Sequence, residues 1–327
     1  MTGDRDPFDR VVAFRSRHPY LERDLAEVRR IMDDAVSGGG DLLDGSLGAL
    51  AGSPGKMLRA TLVLLGARLG DFDEVKAYRA AAAVELLHLA TLIHDDIVDG
   101  SSLRRGFPTL HTAHGARKAV LAGDYVLTRC FGLMADFALP ETARLLSAGV
   151  GRICESELHR VPAAGPTLRS YKRKAAGKTA SLFLMAAHAG TLVGECPAEI
   201  FGAMRSYGYA VGMGFQIVDD ILDYGGTVGA MGKPVGKDLE DGIVTLPLIL
   251  AARRDPTVLS RTPERPLTKR RAAAIRRRVV EAGGLDSAGE YAAEYTRRAL
   301  QSTEALPEGP AREALADLAR TLGTRDR

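Results

Sequence analysis

The sequence predicts an all-α protein, a single large helical bundle around a central cavity. Apolar residues recur with the helical period along most of the chain and cover nearly the whole surface of segment 76–99. We find no run of alternating β-branched residues of the kind that builds a sheet. Because a helix that is apolar on most sides must be buried, segment 76–99 is expected at the centre of the bundle.

Helical periodicity places the other members of the bundle along the chain. Gly-, Pro- and Ser-rich stretches such as 37–46 and 224–242 separate them. The predicted helices are 21–36, 57–69, 76–99, 117–137, 141–160, 178–194, 197–223, 243–253 and 269–283, with more towards the C-terminus. We expect one all-α domain over 21–327 and a loosely held segment over 1–20.

Composition excludes several classes of protein. With 46% hydrophobic residues the chain can bury a full core, and a net charge of +3 does not indicate a nucleic-acid-binding protein. Three scattered cysteines are typical of a reducing cytoplasm and argue against a disulfide framework or a zinc site. The N-terminus lacks the apolar core of a signal peptide, and polar residues interrupt the longest apolar stretches. We therefore expect a cytoplasmic protein without membrane insertion.

Two DDxxD clusters stand at the ends of apolar helices. They consist of Asp95, Asp96 and Asp99, and of Asp219, Asp220 and Asp223. In each cluster the first and last aspartates share a helix face, and the middle one lies one position further round. Such carboxylates repel one another unless a cation binds, and their oxygens suit Mg²⁺ shared with phosphate. The alternative interpretation is that both clusters are acidic helix ends in contact with solvent. The apolar residues that flank each cluster instead indicate that both lie at a cavity.

Basic residues stand beside these clusters or at predicted helix starts. They are Lys56, Arg59, Arg104, Arg105, Lys178 and Lys233. Helix N-termini and arginine side chains both bind phosphate oxygens well. Carboxylates for Mg²⁺, cations for phosphate and apolar walls together indicate a pocket for an organic diphosphate with an apolar body.

Two polar residues lie in the apolar helices beside the clusters. His88 is seven residues before Asp95 on the same side of its helix, and Gln216 is three residues before Asp219. For His88 a satisfied core position and a role beside phosphate or metal remain equally open. His94 faces another side of its helix and is expected to pack or to support the cluster.

These motifs resemble the trans-isoprenyl diphosphate synthase, or polyprenyl synthetase, family. The two aspartate regions read ELLHLATLIHDDIVDGSSLRRGFPT and GMGFQIVDDILDY, and further matching segments are GKMLR, LAGDYVL, AGKTASLF and GKPVGKDLEDGIVTLP. The match is close over about 50–250. The resemblance implies the isoprenoid synthase fold, normally a homodimer. It also implies a transferase that joins isopentenyl diphosphate to an allylic diphosphate and makes an all-trans polyprenyl diphosphate.

The resemblance also implies a role for each candidate residue. The six aspartates would hold about three Mg²⁺ ions on the allylic diphosphate. That diphosphate would also contact Arg104, Lys178 and Lys233, and isopentenyl diphosphate would contact Lys56, Arg59, His88 and Arg105. The residues at the reacting centre would be Lys178, Thr179, Gln216 and Arg104.

The chain departs from the family pattern at a few positions. Ile243 stands where the family usually carries Lys, which removes one expected phosphate contact, and Lys237 is a candidate to compensate for it. Ser156 and Arg160 stand where Gly and Gln are common, and the sequence gives no account of that change.

Three rival functions fit parts of the sequence. A class I terpene cyclase also uses Asp-rich sites, but it steers cations with aromatic walls, and aromatic residues here make up 6% with no Trp. A non-catalytic subunit of a heteromeric synthase loses Asp or Arg groups that this chain retains. A helical scaffold would not need buried acid beside buried base, because unpaired buried charge is costly.

Product length depends, by the same resemblance, on the residues one and two turns before the first cluster. Ala90 and Thr91 are small, and Leu87 lies below them, which predicts a product of geranylgeranyl length or longer. Phe131 and Met134 are candidates to close the tunnel.

We predict that Ala90→Phe shortens the product, because the ring would fill the tunnel that the growing chain enters. Chromatography of the reaction products by chain length measures this. A product profile equal to that of the wild type would contradict it.

Overall fold

The chain is almost entirely helical in the ranges that the computed structural model describes. These ranges are residues 7–37, 56–104, 107–135, 140–158, 167–225, 236–261 and 267–323. Within them, the strands are Leu103–Arg104 and Phe107–Pro108, which form one antiparallel pair with Leu103 opposite Pro108. The all-α prediction is confirmed.

The helices follow the predicted order. Their bounds are α1 Pro7–Arg17, α2 Pro19–Val36, α3 Leu58–Ala67, α4 Glu74–Val98, α5 Leu110–His114, α6 Ala116–Ala135, α7 Pro140–Leu158, α8 Leu168–Ala175, α9 Ser181–Val193, α10 Ala198–Gly225, α11 Lys237–Glu240, α12 Leu246–Arg254, α13 Lys269–Glu281, α14 Gly284–Glu304 and α15 Pro310–Gly323. A π-helical segment covers Ala176–Ala180, and a 3₁₀ helix covers Pro256–Arg261. The two longest, α4 and α10, carry the two aspartate clusters.

Helix α4 lies in the middle of the bundle, as its composition predicts. The Asp73 side chain caps its start by accepting the Lys76 backbone N–H at 3.0 Å. Its residues 80–87 are all buried, and it packs against α2, α3, α6 and α9. Because four small alanines at 80–83 allow neighbouring helices to approach closely, this helix can be enclosed on several sides.

Glycines allow close crossings between the inner helices. A Cβ at Gly190 in α9 would lie 2.4 Å from the Val63 carbonyl oxygen in α3. A Cβ at Gly212 in α10 would lie 2.6 Å from the Cα of Ala180. Since these contacts are to backbone, a side chain could be accommodated only by moving a helix. The second crossing brings α10 against the π-helical segment and so positions the second aspartate cluster.

The segment around residue 178 differs from the sequence prediction. A helix start was expected there, but α8, the π-helical segment and α9 follow one another without a break from Leu168 to Val193. The helix begins at a capping box, in which Thr167 and Ser170 bond reciprocally. Lys178 therefore lies in an internal π-helical turn. Such turns are found frequently at functional sites.

Residues 7–20 belong to the segment 1–20 that the sequence predicts to be loosely held. These residues are helical apart from a bend at His18, and the Phe14 side chain is fully buried. The Arg17 guanidinium donates to Asp317 at 2.8 and 3.0 Å, which ties α1 to the C-terminal helix. A contact between residues 300 positions apart leaves no local signal in the sequence.

None of the helices in the described ranges combines the length and the apolar character that a membrane crossing requires. The cysteines Cys130, Cys154 and Cys196 are free thiols.

We predict that Gly190→Ala lowers the free energy of unfolding by about 1–3 kcal/mol, because the new methyl group collides with the α3 backbone. Gly202→Ala is the matched control. It lies in α10 with no heavy atom within 4 Å of the added Cβ, so it should stabilise the protein by about 0.5–1 kcal/mol. Urea unfolding of both variants tests this pair, and equal effects would contradict the proposed crossing.

Candidate functional site

The first aspartate cluster surrounds a lysine. The Lys178 ammonium lies 3.3 Å from Asp95 Oδ2 and 3.9 Å from Asp99 Oδ2. It also lies 3.1 Å from Glu157 Oε1 on α7. Three carboxylates from two helices therefore share one cation, which leaves a net negative charge at this end of the bundle.

Burial and neighbouring charges shift the pKa values of these groups in opposite directions. Burial raises the pKa of Asp95, although the Lys178 ammonium opposes the shift. Burial alone would lower the pKa of Lys178, but the attraction of Asp95, Asp99 and Glu157 outweighs it and raises that pKa. Lys178 is therefore charged at neutral pH.

Asp96, the middle residue of the first cluster, is turned into the protein. Its carboxylate is 4% exposed and accepts from Arg104 Nε at 2.9 Å and from Arg104 Nη2 at 2.6 Å. This bidentate pair fixes the guanidinium beside the cluster. Arg104 lies on the short β-hairpin that follows α4, so the pair also anchors that hairpin.

Asp220, the middle residue of the second cluster, is also buried and hydrogen-bonded. The Tyr171 hydroxyl donates to its Oδ2 at 2.6 Å, and Gln216 Nε2 donates to its Oδ1 at 2.8 Å. Burial raises the pKa of Asp220 to about 8 despite these two donors. The Gln216 amide oxygen in turn accepts from Thr179 Oγ1 at 2.6 Å.

Asp223 anchors the chain that follows α10. Its Oδ1 accepts the backbone N–H groups of Gly236 and Lys237, each at 3.1 Å, and the N–H of Asp238 lies 3.3 Å from its Oδ2. Burial raises the pKa of Asp223, and the three N–H groups oppose that shift. This carboxylate thus holds α11 against the second cluster.

The two clusters meet at one π-helical turn. Lys178 contacts the first cluster, and Thr179 reaches the second through Gln216 and Asp220. Gly177 permits this arrangement, since a Cβ there would lie 2.4 Å from Ser156 Cβ and push α7 away. Lys178 on this turn thus contacts the first acidic helix directly, and Thr179 contacts the second through Gln216.

A second group of cations lies over aromatic rings nearby. The Arg59 guanidinium is 4.9 Å from the centroid of Phe183, and the Lys56 ammonium is 5.9 Å from that of Phe215. The two rings are 5.4 Å apart and tilted by 41°. Burial lowers the pKa of Arg59 to about 10, against the attraction of Glu85, so its charge persists at neutral pH.

The remaining histidines on α4 take different positions. His88 is half-buried one turn after Glu85, and its carbonyl accepts from Thr91 Oγ1 at 2.7 Å. His94 lies 3.3 Å from the Val120 carbonyl oxygen and 3.5 Å from Asp124 Oδ1 on α6. His94 therefore packs against α6, as its separate face predicts.

The site offers the donor chemistry that a hard divalent cation needs. Asp95, Asp99 and Asp219 present the partly or fully exposed carboxylates of the two clusters. In the described ranges, no three His, Cys, Asp or Glu side chains converge closely enough to enclose a metal unaided. Because Mg²⁺ usually keeps waters and shares its coordination with substrate phosphates, the residues present fit that ion.

Three residues singled out in the sequence lie outside the described part of the chain, and Lys237 has a partner outside the two clusters. Arg105, Lys233 and Arg160 are outside the described residues. Lys237 pairs with Asp241 at 2.7 Å, so its ammonium is engaged away from the clusters, and the hypothesis that it compensates for Ile243 gains no support from this contact.

The proposed tunnel residues differ in how deeply they are buried. Ala90 and Leu87 are each 1% exposed. Met134 is buried on α6 and remains a candidate floor, whereas Phe131 is 45% exposed, which argues against it as a floor within this chain. Burial raises the pKa of the Cys130 thiol on α6 to about 12, and the Leu87 backbone opposes that shift.

Sequence reasoning missed two residues of this site. Glu157 and Tyr171 lie on helices with no acidic motif, and their roles depend on contacts with Lys178 and Asp220. One weak signal exists for Tyr171, which precedes Lys178 by seven residues, or two helical turns.

Comparisons with known proteins find similar sequences and a similar fold. The family model described as polyprenyl synthetase matches residues 41–275. Heptaprenyl diphosphate synthase component 2 of Geobacillus stearothermophilus is 34% identical over 95% of this chain and 99% of its own. Octaprenyl diphosphate synthase of Escherichia coli is 34% identical over 84% of this chain and 87% of its own. A crystal structure of a Caulobacter crescentus polyprenyl synthase, complexed with calcium and isoprenyl diphosphate, covers 97% of this chain and 98% of its own with TM-score 0.88 and 33% identity.

We predict that the metal-free protein becomes less stable as the pH rises from 5 to 8. Asp220 keeps its proton up to about pH 8 when folded, whereas the ordinary carboxyl value is 3.8, so the folded state binds more protons in this window. The loss should be on the order of 3 kcal/mol. Asp220→Asn should remove most of it.

Urea unfolding in EDTA at several pH values measures this slope. Asp286→Asn, which replaces an exposed acid at the start of α14, is the control and should keep the wild-type slope. Parallel slopes for wild type and Asp220→Asn would contradict the prediction.

Proposed function

Because this chain belongs to the polyprenyl synthetase family and is a prenyltransferase that condenses isopentenyl diphosphate with an allylic diphosphate, we propose a role for each part of its site. The single observation that carries the proposal is the π-helical turn in which Lys178 contacts the first aspartate cluster and Thr179 is linked to the second through Gln216. A diphosphate bound beside this turn would lie between the two aspartate clusters.

Mg²⁺ would be held by Asp95, Asp99 and Asp219, whose carboxylates are the more exposed ones. When bound, it would act as a Lewis acid that neutralises charge on the leaving diphosphate. Buried Asp96, Asp220 and Asp223 would position these ligands instead, because their oxygens already accept from Arg104, from Tyr171 and Gln216, and from the 236–238 backbone. This division differs from the expectation that all six aspartates hold Mg²⁺. The number of ions, about three, comes from the family resemblance.

Lys178 and Arg104 would bind the allylic diphosphate. Each is held by carboxylates at the first cluster, Lys178 by Asp95 and Arg104 by Asp96. Because both cations are paired and half-buried before substrate arrives, they need little reorganisation to stabilise the charge that grows as the C–O bond breaks. Lys233, outside the described residues, would join them.

Lys56 and Arg59 would bind isopentenyl diphosphate. Their ammonium and guanidinium groups lie over Phe215 and Phe183, and those rings would meet the apolar part of the substrate. His88 on α4 would contact the same diphosphate, and Arg105 would complete the set. A subsite separate from the aspartates is appropriate for a substrate whose diphosphate is retained in the product.

The reacting carbons would lie between these two subsites. Cleavage of the allylic C–O bond gives an allylic cation, the double bond of isopentenyl diphosphate attacks it, and a proton leaves to the released diphosphate. The Thr179 hydroxyl and Gln216 amide, which bond to each other at 2.6 Å, would line this position. The apolar side chains of α4 and α9 exclude water, which would otherwise quench the cation to an alcohol.

We propose a product of geranylgeranyl length or longer. Ala90 and Thr91 on α4 are small and would leave room for a growing chain, and buried Met134 on α6 is a candidate end of the tunnel. The relatives named above make heptaprenyl and octaprenyl diphosphates.

A homodimer is the proposed assembly. A catalytic subunit of a heteromeric synthase is the second candidate, because the Geobacillus relative is called component 2. The site favours a catalytic subunit over a non-catalytic one, since both clusters and Arg104 are in place. Light scattering of the active protein distinguishes the assemblies, because a homodimer has twice the mass of one chain and needs no second protein for turnover.

We predict that the purified chain extends farnesyl diphosphate with isopentenyl diphosphate when Mg²⁺ is present. Asp99→Asn and Asp219→Asn should each lower kcat/KM by about 100-fold, because each removes charge facing the substrate. Asp286→Asn should retain wild-type activity. Analysis of dephosphorylated products by chain length measures both rate and product.

Cyclic hydrocarbon products would identify a terpene cyclase instead. Wild-type activity in both Asp99→Asn and Asp219→Asn would contradict the assignment of the metal ligands.

A further inference from the structure

The turn that carries Lys56 and Arg59 has an unusual backbone. Met57 lies in the left-handed region, with φ 39° and ψ 41°, although it is not a glycine. This conformation costs a residue with a side chain about 1–2 kcal/mol. It persists only where neighbouring contacts hold it, and such strained residues cluster at functional sites.

Glu85 holds one side of this turn. Its Oε1 accepts the backbone N–H groups of Arg59 at 3.1 Å and Ala60 at 3.0 Å. These groups open helix α3, and Met57 at its N-cap makes no side-chain capping bond. A carboxylate from α4 therefore provides the cap that the local sequence lacks.

Two arginines hold the other side. The Arg15 side chain, on α1, donates from Nη2 to the Lys56 carbonyl oxygen. Arg29 Nη2, on α2, lies 3.5 Å from Met57 Sδ. Contacts from α1, α2 and α4 thus converge on a turn of a few residues, at the position of its left-handed residue.

Glu85 also links the turn to the rest of the site. It is 7% exposed, its negative charge offsets the buried Arg59 guanidinium, and it lies on α4 with the first aspartate cluster ten residues further on. One helix therefore carries both the metal-binding aspartates and the group that fastens the Lys56–Arg59 turn. The distance between the two diphosphate subsites is then set by a rigid element.

We propose that Glu85 and Arg15 are positioning residues for isopentenyl diphosphate, which act by holding the Lys56–Arg59 turn in its left-handed form. The inference rests on the proposed function, in which Lys56 and Arg59 bind that substrate. In the described contacts, neither residue touches Lys178, Arg104 or the aspartates of the two clusters, which are the groups proposed to hold the allylic diphosphate. Their loss should therefore weaken one substrate and spare the other.

Glu85→Met tests this directly, because it removes the acceptor and keeps the length of the side chain. The KM for isopentenyl diphosphate should rise about tenfold, whereas the KM for the allylic diphosphate should change less than about twofold. Glu85→Gln keeps an acceptor oxygen and should restore most of the wild-type value. Arg15→Met should behave like Glu85→Met, and Arg15→Lys should restore part of the loss.

Asp24→Asn is the matched control. Asp24 is a fully buried acid on α2 that accepts from the Tyr78 hydroxyl at 2.8 Å, two helical turns before Glu85 on α4. It should lower the melting temperature without changing the ratio of the two KM values. Kinetics are measured well below the melting temperature of every variant, so that partial unfolding does not enter the comparison.

The outcomes separate this inference from the proposed function. A wild-type chain that makes no prenyl diphosphate would overturn the proposed function. An active wild type, with Glu85→Met leaving the KM for isopentenyl diphosphate unchanged or raising both KM values equally, would overturn the positioning role alone. If Glu85→Met does not fold, the same criterion applied to Arg15→Met decides.

Discussion

The structure depends on how cations and hydrogen-bond donors stabilise the acidic side chains that the bundle brings together at one end. Three carboxylates, Asp95, Asp99 and Glu157, surround the single ammonium of Lys178, and two further acids of the second cluster are buried. Repulsion among these groups is compensated by hydrogen-bond donors and by burying each middle aspartate against its own partner. The excess negative charge that remains would attract divalent cations and, through them, diphosphates to this end of the bundle.

The hydrogen-bond partners of the buried aspartates also determine which carboxylates of the two clusters stay exposed. Asp96 is bound by a guanidinium, Asp220 by a phenol and an amide, and Asp223 by main-chain N–H groups. A buried carboxylate without such partners would be costly, so these bonds are a condition for folding as well as for geometry. The Asp96–Arg104 pair also anchors the β-hairpin, and the main-chain bonds to Asp223 anchor helix α11. Both segments border the site and are therefore attached to it.

Close helix crossings provide the rigidity that this arrangement needs. Glycines at 177, 190 and 212 let backbones approach where a side chain would force them apart. The π-helical turn, pressed between α7 and α10, can then direct Lys178 to one cluster and Thr179 to the other. Precise placement of this kind matters because displacements of about 1 Å weaken catalysis substantially.

The sequence by itself determined the all-α class, the central position of α4, and the identity of the acidic and basic groups, because these follow from helical period and local spacing. It did not reveal the burial of Phe14, the helix running through Lys178, or the roles of Glu157, Tyr171 and Glu85. Only the tertiary structure decided which aspartates are exposed and how the Met57 turn is held. The physical reason is that these features arise from hydrogen bonds and packing between residues far apart in the chain, whose partners local periodicity does not specify.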